Sequence, residues 1–340
     1  MVTIFDVAKK AGVSIKTVSR VLNHATNVRS ETRKKVQLAM RELDYHPSFA
    51  ARELRSGQSR AIGIILSDSS GGFQGRLHMA ALQACRNAGC FLTAGLIDEN
   101  DDNWADELAA FTSRTRVKRM ILVPPFCDSP LLHEQLIAED IAFTLISPSI
   151  MNEGAVSLGV NEEQAGFEIT QHLIALGHTK IGHIAGIAGH VATQFRKAGY
   201  LRALAQSGLK VRDGWIGDGE FSFRDALTSA RKMLADPDDR PTAIFAANDE
   251  MAAAVCYTAN SLGLSVPDDL SVAGFDDVAI ATTIWPPLTT VSQPFDVMAE
   301  EAVRRLIDTD PDAQHGLNST LECRLIIRGS TAPPPSAREL

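Results

Sequence analysis

The chain's 340 residues allow two or three domains, and 45% hydrophobic with only 6% aromatic residues suits an α/β protein with sizeable cores. It has neither a long uninterrupted apolar run nor a basic-then-apolar leader, which excludes membrane-spanning and exported classes and predicts a cytoplasmic protein. Its net charge of −8 is uneven: residues 1–60 carry 12 Lys+Arg against 5 Asp+Glu, or +7, and the remaining 280 carry 21 against 36, or −15.

A basic head on an acidic body is the footprint of a nucleic-acid-binding segment whose neighbour avoids non-specific DNA contact. The five cysteines, Cys85, Cys90, Cys127, Cys256 and Cys323, are odd in number and form no C-x-x-C pair. They read as reduced thiols, neither a disulfide framework nor a zinc site.

Residues 3–23 predict two short helices around a tight turn. Thr3 caps the first, with Asp6 completing a capping-box-like pair, and Ile4, Val7, Ala8 and Ala11 share one face. Gly12 supplies the turn, Val13 points inward, and Ser14 caps a second helix whose inward positions are Val18, Val21 and Leu22. Its outward face carries Ile15, Lys16, Ser19 and Arg20, residues with no packing role in so short an element. In a helix-turn-helix such a face enters the major groove and its first residues meet base edges. The alternative is an ordinary helical hairpin with a solvated basic face.

The segment resembles the N-terminus of the LacI/GalR family of bacterial repressors. The pattern DVA..AGVS..TVSRV.N is matched by Asp6-Val7-Ala8, Ala11-Gly12-Val13-Ser14, Thr17-Val18-Ser19-Arg20-Val21 and Asn23. The resemblance implies DNA contacts from Thr3, Ser14, Ile15, Lys16, Thr17, Ser19, Arg20 and Asn23. Ile15-Lys16 differ from the family's commoner pairs, which implies an operator half-site particular to this chain.

A third helix is expected from Ser30, with Val36, Ala39, Met40 and Leu43 inward, closing a headpiece over residues 1–46. Residues 47–59 follow His46-Pro47 and are too short for an independent helix in water. By resemblance they form a hinge helix that pairs with a second subunit's in the minor groove, Leu54 wedging between bases and Ala51 permitting close approach. The alternative is a flexible linker.

From residue 61 the pattern alternates strand and helix. Strands are expected at 62–66, 91–96, 120–123, 142–146, 181–185, 243–246 and 272–275, with helices at 76–88, 103–112, 131–138, 164–175, 195–207, 227–234 and 250–262. Two tandem doubly wound units with parallel sheets form a cleft, and strand carboxyl ends are where such sheets bind ligands. The family's body, residues 60–340 here, is a two-lobed, periplasmic-binding-protein-like structure for effector binding and dimerisation. By resemblance lobe 1 spans about 60–159 and 289–320, and lobe 2 about 160–288 and 321–330; periodicity alone does not show these crossings.

The polar and aromatic residues just after strand ends are the candidates for chemistry. By residue-to-residue match the effector contacts are Phe73, Arg196 in Arg196-x-x-Gly199-Tyr200, Phe221, Asn248 and Asp276, with Asp128 added from its place after Pro124-Pro125. Arg and Asp hold paired hydroxyls, Asn donates and accepts, and a phenyl ring covers the apolar face of a sugar or a flat base. The local alternatives are Asx caps for Asn248 and Asp276, core packing for the two Phe residues, and a surface ion pair for Arg196. Gly71-Gly72 stands where many family members carry Asn-Pro, leaving the shape of that loop open.

Enzyme signals are weak. His172, His178, His183 and His190 do not fall at i, i+4 on one helix, and there is no phosphate-binding glycine loop and no G-x-S-x-G. No catalytic residue, metal or cofactor is implied. The expected protein is a homodimeric repressor of a pseudo-palindromic double-stranded operator, controlled by a small molecule between the lobes. A sugar is favoured over a purine. A sugar-binding protein or enzyme with an appended helical domain is the rival class. Three consecutive prolines near the C-terminus, and no leucine heptads, favour a dimer over a coiled-coil tetramer.

Overall fold

The computed structural model describes residues 2–22, 25, 28–45, 60–67, 72–98, 101–149, 155–308 and 318–335, divided between two compact units, 1–60 and 61–340. The first unit holds α1 (Ile4–Ala11), α2 (Ile15–Leu22) and α3 (Ser30–Glu42). Ile4, Val7 and Ala8 meet Val18, Val21, Val36 and Ala39 in one small core. The Thr3 amide and hydroxyl both donate to the Asp6 carboxylate, at 2.8 and 2.7 Å, and hold that carboxyl below its ordinary range. Gly12, at φ 65°, ends α1, and the Ser14 hydroxyl accepts from the Thr17 amide at 3.2 Å to start α2. Ser30, expected as a cap, is the first residue of α3 itself.

The second unit contains two six-stranded sheets. The first consists of β1 (Ala61–Leu66), β2 (Phe91–Leu96), β3 (Arg119–Leu122), β4 (Ala142–Ile146), β5 (Val156–Val160) and β11 (Ser319–Leu321), in the order β11-β5-β4-β3-β1-β2. The second consists of β6 (Ile181–Ala185), β7 (Ile216–Asp218), β8 (Ala243–Ala246), β9 (Ser271–Asp276), β10 (Thr289–Ser292) and β12 (Arg324–Ile326), in the order β12-β10-β9-β8-β6-β7. Every pairing is parallel except β10 with β12.

Parallel strands covered on both faces must be apolar on both, and the parity of the side chains shows it. Ile62, Ile64, Ile121 and Val123 face α4 (Gly72–Asn87) and α12 (Phe295–Ile307), whereas Ile65, Met120 and Leu122 face α5 (Trp104–Thr115) and α6 (Pro130–Ala138). In the second sheet Ile244 and Ala246 face α9 (Phe223–Leu234) and α10 (Asp249–Ser261). Ala243 and Phe245 face α7 (Glu162–Ala175) and α8 (Val191–Gln206).

The strand orders carry the functional consequence. In the first sheet the chain turns from β1 to β2 on one side and then to β3 on the other; in the second it does the same from β6 to β7 and then β8. Each sheet has a switch point where the connections diverge, and the crevice outside the strand carboxyl ends there is the default ligand site of such folds.

Two expectations need correction. Residues 289–292 do not return to the first lobe: β10 pairs with β9, Thr289 opposite Ala273 and Val291 opposite Phe275, and Val291 joins the second sheet's core. The crossing comes after it, and α12 then packs on the first sheet. Helix α4 starts at Gly72, four residues earlier than the pattern suggested, so Phe73 lies in its first turn instead of a loop.

Helices α7 and α8 cross where Gly166 and Gly199 sit. A Cβ on Gly199 would collide with the Glu163 carbonyl and the Phe167 amide, and one on Gly166 would come within 2.6 Å of the Arg196 carbonyl. Only α-carbons without a Cβ let the two backbones approach this closely. The crossing sets the start of α7, and with it Glu162, against Arg196.

Candidate functional site

On the first unit, Lys16, Arg20, Thr3 and Ser14 are exposed, and Ile15, Thr17 and Ser19 are half-buried beside the buried Val18 and Val21. The 3.6-residue period of α2 thus separates a core face from a face available to a partner. Thr3, Ser14 and Thr17 also shape the helix starts, the Ser14 and Thr17 hydroxyls lying 2.9 Å apart. Asn23, Ala51 and Leu54 lie outside the described residues.

The structure brings Arg196, Asp276, Asn248 and Phe221 together at the carboxyl ends of the second sheet. Arg196, only 3% exposed, donates from Nε and Nη2 to the two Glu162 oxygens at 2.7 and 3.2 Å and from Nη1 to the Ala247 carbonyl. The Asp276 carboxylate stands 3.6 Å from Nη2, and the guanidinium lies 3.7 Å from the centre of the Phe275 ring. Such a fork stays charged when buried because two carboxylates and a carbonyl surround it and a ring covers its face.

Asp276 is equally buried and accepts from Gln293 Nε2 at 2.7 Å. Burial, opposed by Arg196 and then by Gln293, pushes its carboxyl up to about 6. Its φ of 100° and Asp277's of 57° turn the chain sharply out of β9, and Asp277 is anchored by Arg328 at 2.7 Å. Asn248 is the N-cap of α10: its Oδ1 accepts from the Met251 amide at 2.8 Å and its Nδ2 donates to the Phe221 carbonyl at 3.2 Å. The capping alternative therefore holds for Asn248, and the cap also fixes the loop that carries Phe221.

Phe221 is half-buried at a left-handed φ of 52°, an unusual conformation for a bulky residue. Its ring lies over Gly186, where any Cβ would collide with it, meets His190 edge-on with centroids 5.6 Å apart, and lies 5.8 Å from the Arg196 guanidinium. Phe73 and Asp128 belong to the first sheet. Phe73 packs edge-on against Phe295 at 5.3 Å, as the core-packing alternative has it. Exposed Asp128 accepts from the Ser149 amide and hydroxyl at 2.6 and 2.7 Å.

The two sheets meet through residues that follow strand ends. The Gly72 amide, after β1, donates to Glu250 Oε1, after β8, at 3.0 Å. Asp128, after β3, is felt electrostatically by His190, after β6. Burial above all, then the Arg196 charge, lowers the His190 pKa, while Asp128 and Glu162 act the other way. Among the described residues no group of His, Cys, Asp and Glu is arranged to hold a metal. No described helix is long and apolar enough to cross a membrane.

Sequence reasoning missed Glu162 and Gln293, and it placed Asp249 after a strand end without giving it a role. Asp249 is fully buried, accepting from the Val278 amide at 2.8 Å and the Thr290 hydroxyl at 2.6 Å, and burial, reinforced by Asp276, pushes it up to about 8. Two adjacent acids at a helix start, Glu162-Glu163, read as ordinary helix-dipole partners, so nothing local signalled Glu162.

Residues 3–48 match the family described as bacterial regulatory proteins, lacI family, and residues 170–331 match a periplasmic binding protein-like domain. The chain is 34% identical to the HTH-type transcriptional repressor PurR of Photobacterium profundum over 93% of this chain and 94% of that one. It is 33% identical to catabolite control protein A of Priestia megaterium, covering 90% and 91%. Among solved structures it is similar to the lac repressor dimer bound to operator and the anti-inducer ONPF, with TM-score 0.78, 28% identity and coverage of 97% and 99%. It is also similar to the complex of the transcriptional regulator CelR with cellobiose, with TM-score 0.72, 26% identity and coverage of 97% and 100%.

Proposed function

From the premise that this chain belongs to the lacI family of bacterial regulatory proteins, we propose that it represses from a pseudo-palindromic operator as a cytoplasmic homodimer released or recruited by a sugar. It is a DNA-binding transcriptional regulator with an effector-binding body, and not an enzyme. Lys16, Arg20 and Ile15 of α2 read base edges in the major groove, and Thr3, Ser14, Thr17, Ser19 and Asn23 support that docking. Ala51 and Leu54 carry the minor-groove contact of the hinge. A two-fold dimer places two such heads on successive half-sites.

The observation that carries the effector assignment is the buried Arg196–Asp276 pair beside the Phe221 ring at the second sheet's switch point. A guanidinium and a carboxylate aligned next to a phenyl face suit the alternating hydroxyls and apolar face of a pyranose. Similarity to a regulator solved with cellobiose supports this. Asn248 positions the ring, while Phe73, packed on Phe295, and Asp128, bonded to Ser149, shape the first lobe's side of the cleft. Lobe closure on the ligand shifts the two hinges relative to one another and changes operator affinity. The relatives named PurR favour a purine as the reading to test against it.

A thermal-shift panel of mono- and disaccharides and purines, run on wild type and Phe221→Ala, decides between them. A ligand at about 100 times its Kd adds roughly 2.7 kcal/mol, several degrees for a body of this size. A sugar shift lost in Phe221→Ala is the expected result. A purine shift lost in the same variant would overturn the sugar.

On DNA, Arg20→Ala is expected to cost about 1–3 kcal/mol on the operator selected from random sequence, and much less on unselected DNA. Equal losses on both, measured by titration at one salt concentration, would reduce Arg20 to a phosphate contact.

A further inference from the structure

Arg196 is the cation that an anionic ligand would seek, yet its charge is already matched. Glu162 takes it in two hydrogen bonds, Ala247 takes a third, and Asp276 stands at 3.6 Å. The three ionisable side chains are 3, 8 and 3% exposed, so the buried set holds one guanidinium against two carboxylates. The neighbouring basic group, His190, has its pKa lowered by burial and by Arg196.

Unused hydrogen-bonding capacity points the same way. Gln293 Oε1, a pure acceptor, makes no hydrogen bond within the chain, and neither do His190 Nδ1 and Thr193 Oγ1. Of these, the Thr193 hydroxyl and His190 Nδ1 can act as donor or acceptor, so the one fixed role is that of Gln293 Oε1, which calls for a donor such as a hydroxyl. Sugar hydroxyls are uncharged and can donate to the carboxylates, whereas a phosphate group adds negative charge beside them. In a medium of low polarity, an extra anion beside two carboxylates is repelled, and among the described residues the guanidinium beside them is already paired with Glu162.

We propose that Glu162 sets the specificity of this site by neutralising Arg196, so that it takes uncharged, polyhydroxylated ligands and rejects phosphorylated sugars and other anions. The inference rests on the effector reading of the same site. Its test uses inorganic phosphate as the anion, with potassium chloride at equal ionic strength as the control, on full-length wild type, Glu162→Ala and Glu162→Gln.

Wild type is expected to show no phosphate-specific rise in Tm. Glu162→Ala, with Arg196 released, is expected to gain about 5 °C at phosphate near 100 times its Kd. Glu162→Gln keeps the side chain's volume and is expected to gain in the same direction, which provides the reading if the alanine variant fails to fold. A wild-type shift lost in Phe221→Ala would overturn the exclusion of anions while leaving the cleft as the effector site. No gain in the folded variants would show that Glu162 is not what closes the site. Failure of every sugar in the panel would instead remove the effector reading, whichever way the phosphate arms fall.

Discussion

Arg196→Ala is expected to lower the stability of the body by about 3–5 kcal/mol, the range for removing one partner of a buried, hydrogen-bonded charge set. Glu162 loses both of its donors and Asp276 loses its nearby cation, while neither gains access to water. The Ala247 carbonyl is also left without its guanidinium donor, and the face of Phe275 loses the cation 3.7 Å from its centre. Urea unfolding followed by the fluorescence of Trp215, which is buried in the second sheet's core, reads this directly.

The deficit has a pH signature. Asp276, raised to about 6 by burial against the pull of Arg196, loses that opposing cation in the variant, so its folded pKa rises further above the unfolded one. A raised carboxyl stabilises at low pH and loses that contribution as pH climbs through its folded pKa. The deficit should therefore shrink toward pH 5 and widen toward pH 8. A loss below about 1 kcal/mol at every pH would mean that the cluster relaxes into water once the arginine is gone.

Much of the fold was legible because each level repeats one signal. Alternating Ile62, Ile64 and Ile65 announce a strand covered on both faces, and Val18 and Val21 announce a helix with a single buried side. The lobe crossings were not legible, because a strand such as Thr289–Ser292, with hydroxyls at three of its four positions, carries no pattern that says which sheet it joins. Four of the six effector candidates converge because residues after parallel strand ends must emerge on one edge, whatever the loops between them.

Glu162 illustrates the limit. It is 34 residues from Arg196, and only the glycine-lined crossing of α7 and α8 brings them together. Phe73 shows another: a Gly-Gly-Phe stretch reads as a loop, yet the ring packs on Phe295, far along the chain, and the helix extends to include it. Phe221 at positive φ is beyond sequence reasoning for the opposite reason, since local preference argues against it. It holds that conformation because the Asn248 amide grips its carbonyl and Gly186 leaves room for its ring.

Asp249→Asn is expected to remove a pH dependence of stability that runs across several pH units. The carboxyl at position 249 is fully buried, with its Oδ1 where any Cβ on Gly274 would need to be. Burial, added to the nearby Asp276 charge, outweighs the hydrogen bonds from Thr290 and Val278 and raises the carboxyl from 3.8 to about 8. The folded state thus keeps a proton that the unfolded chain releases. The contribution is complete below pH 3.8, declines by about 1.4 kcal/mol per pH unit above it, and levels off beyond pH 8.

Asparagine reproduces the neutral acid. Its carbonyl accepts from the Val278 amide and its NH2 group donates to the Thr290 hydroxyl, which rotates to accept. The variant carries no proton to lose, so wild type should fall progressively behind it between pH 5 and pH 8. Asp276 titrates in both proteins, and its contribution largely cancels in the difference. Paired urea titrations at half-unit steps of pH measure that difference. Parallel stability curves across the window would mean that Asp249 is ionised throughout, its two donors holding the charge against burial, and the carboxyl would then count as a third negative group beside the effector site.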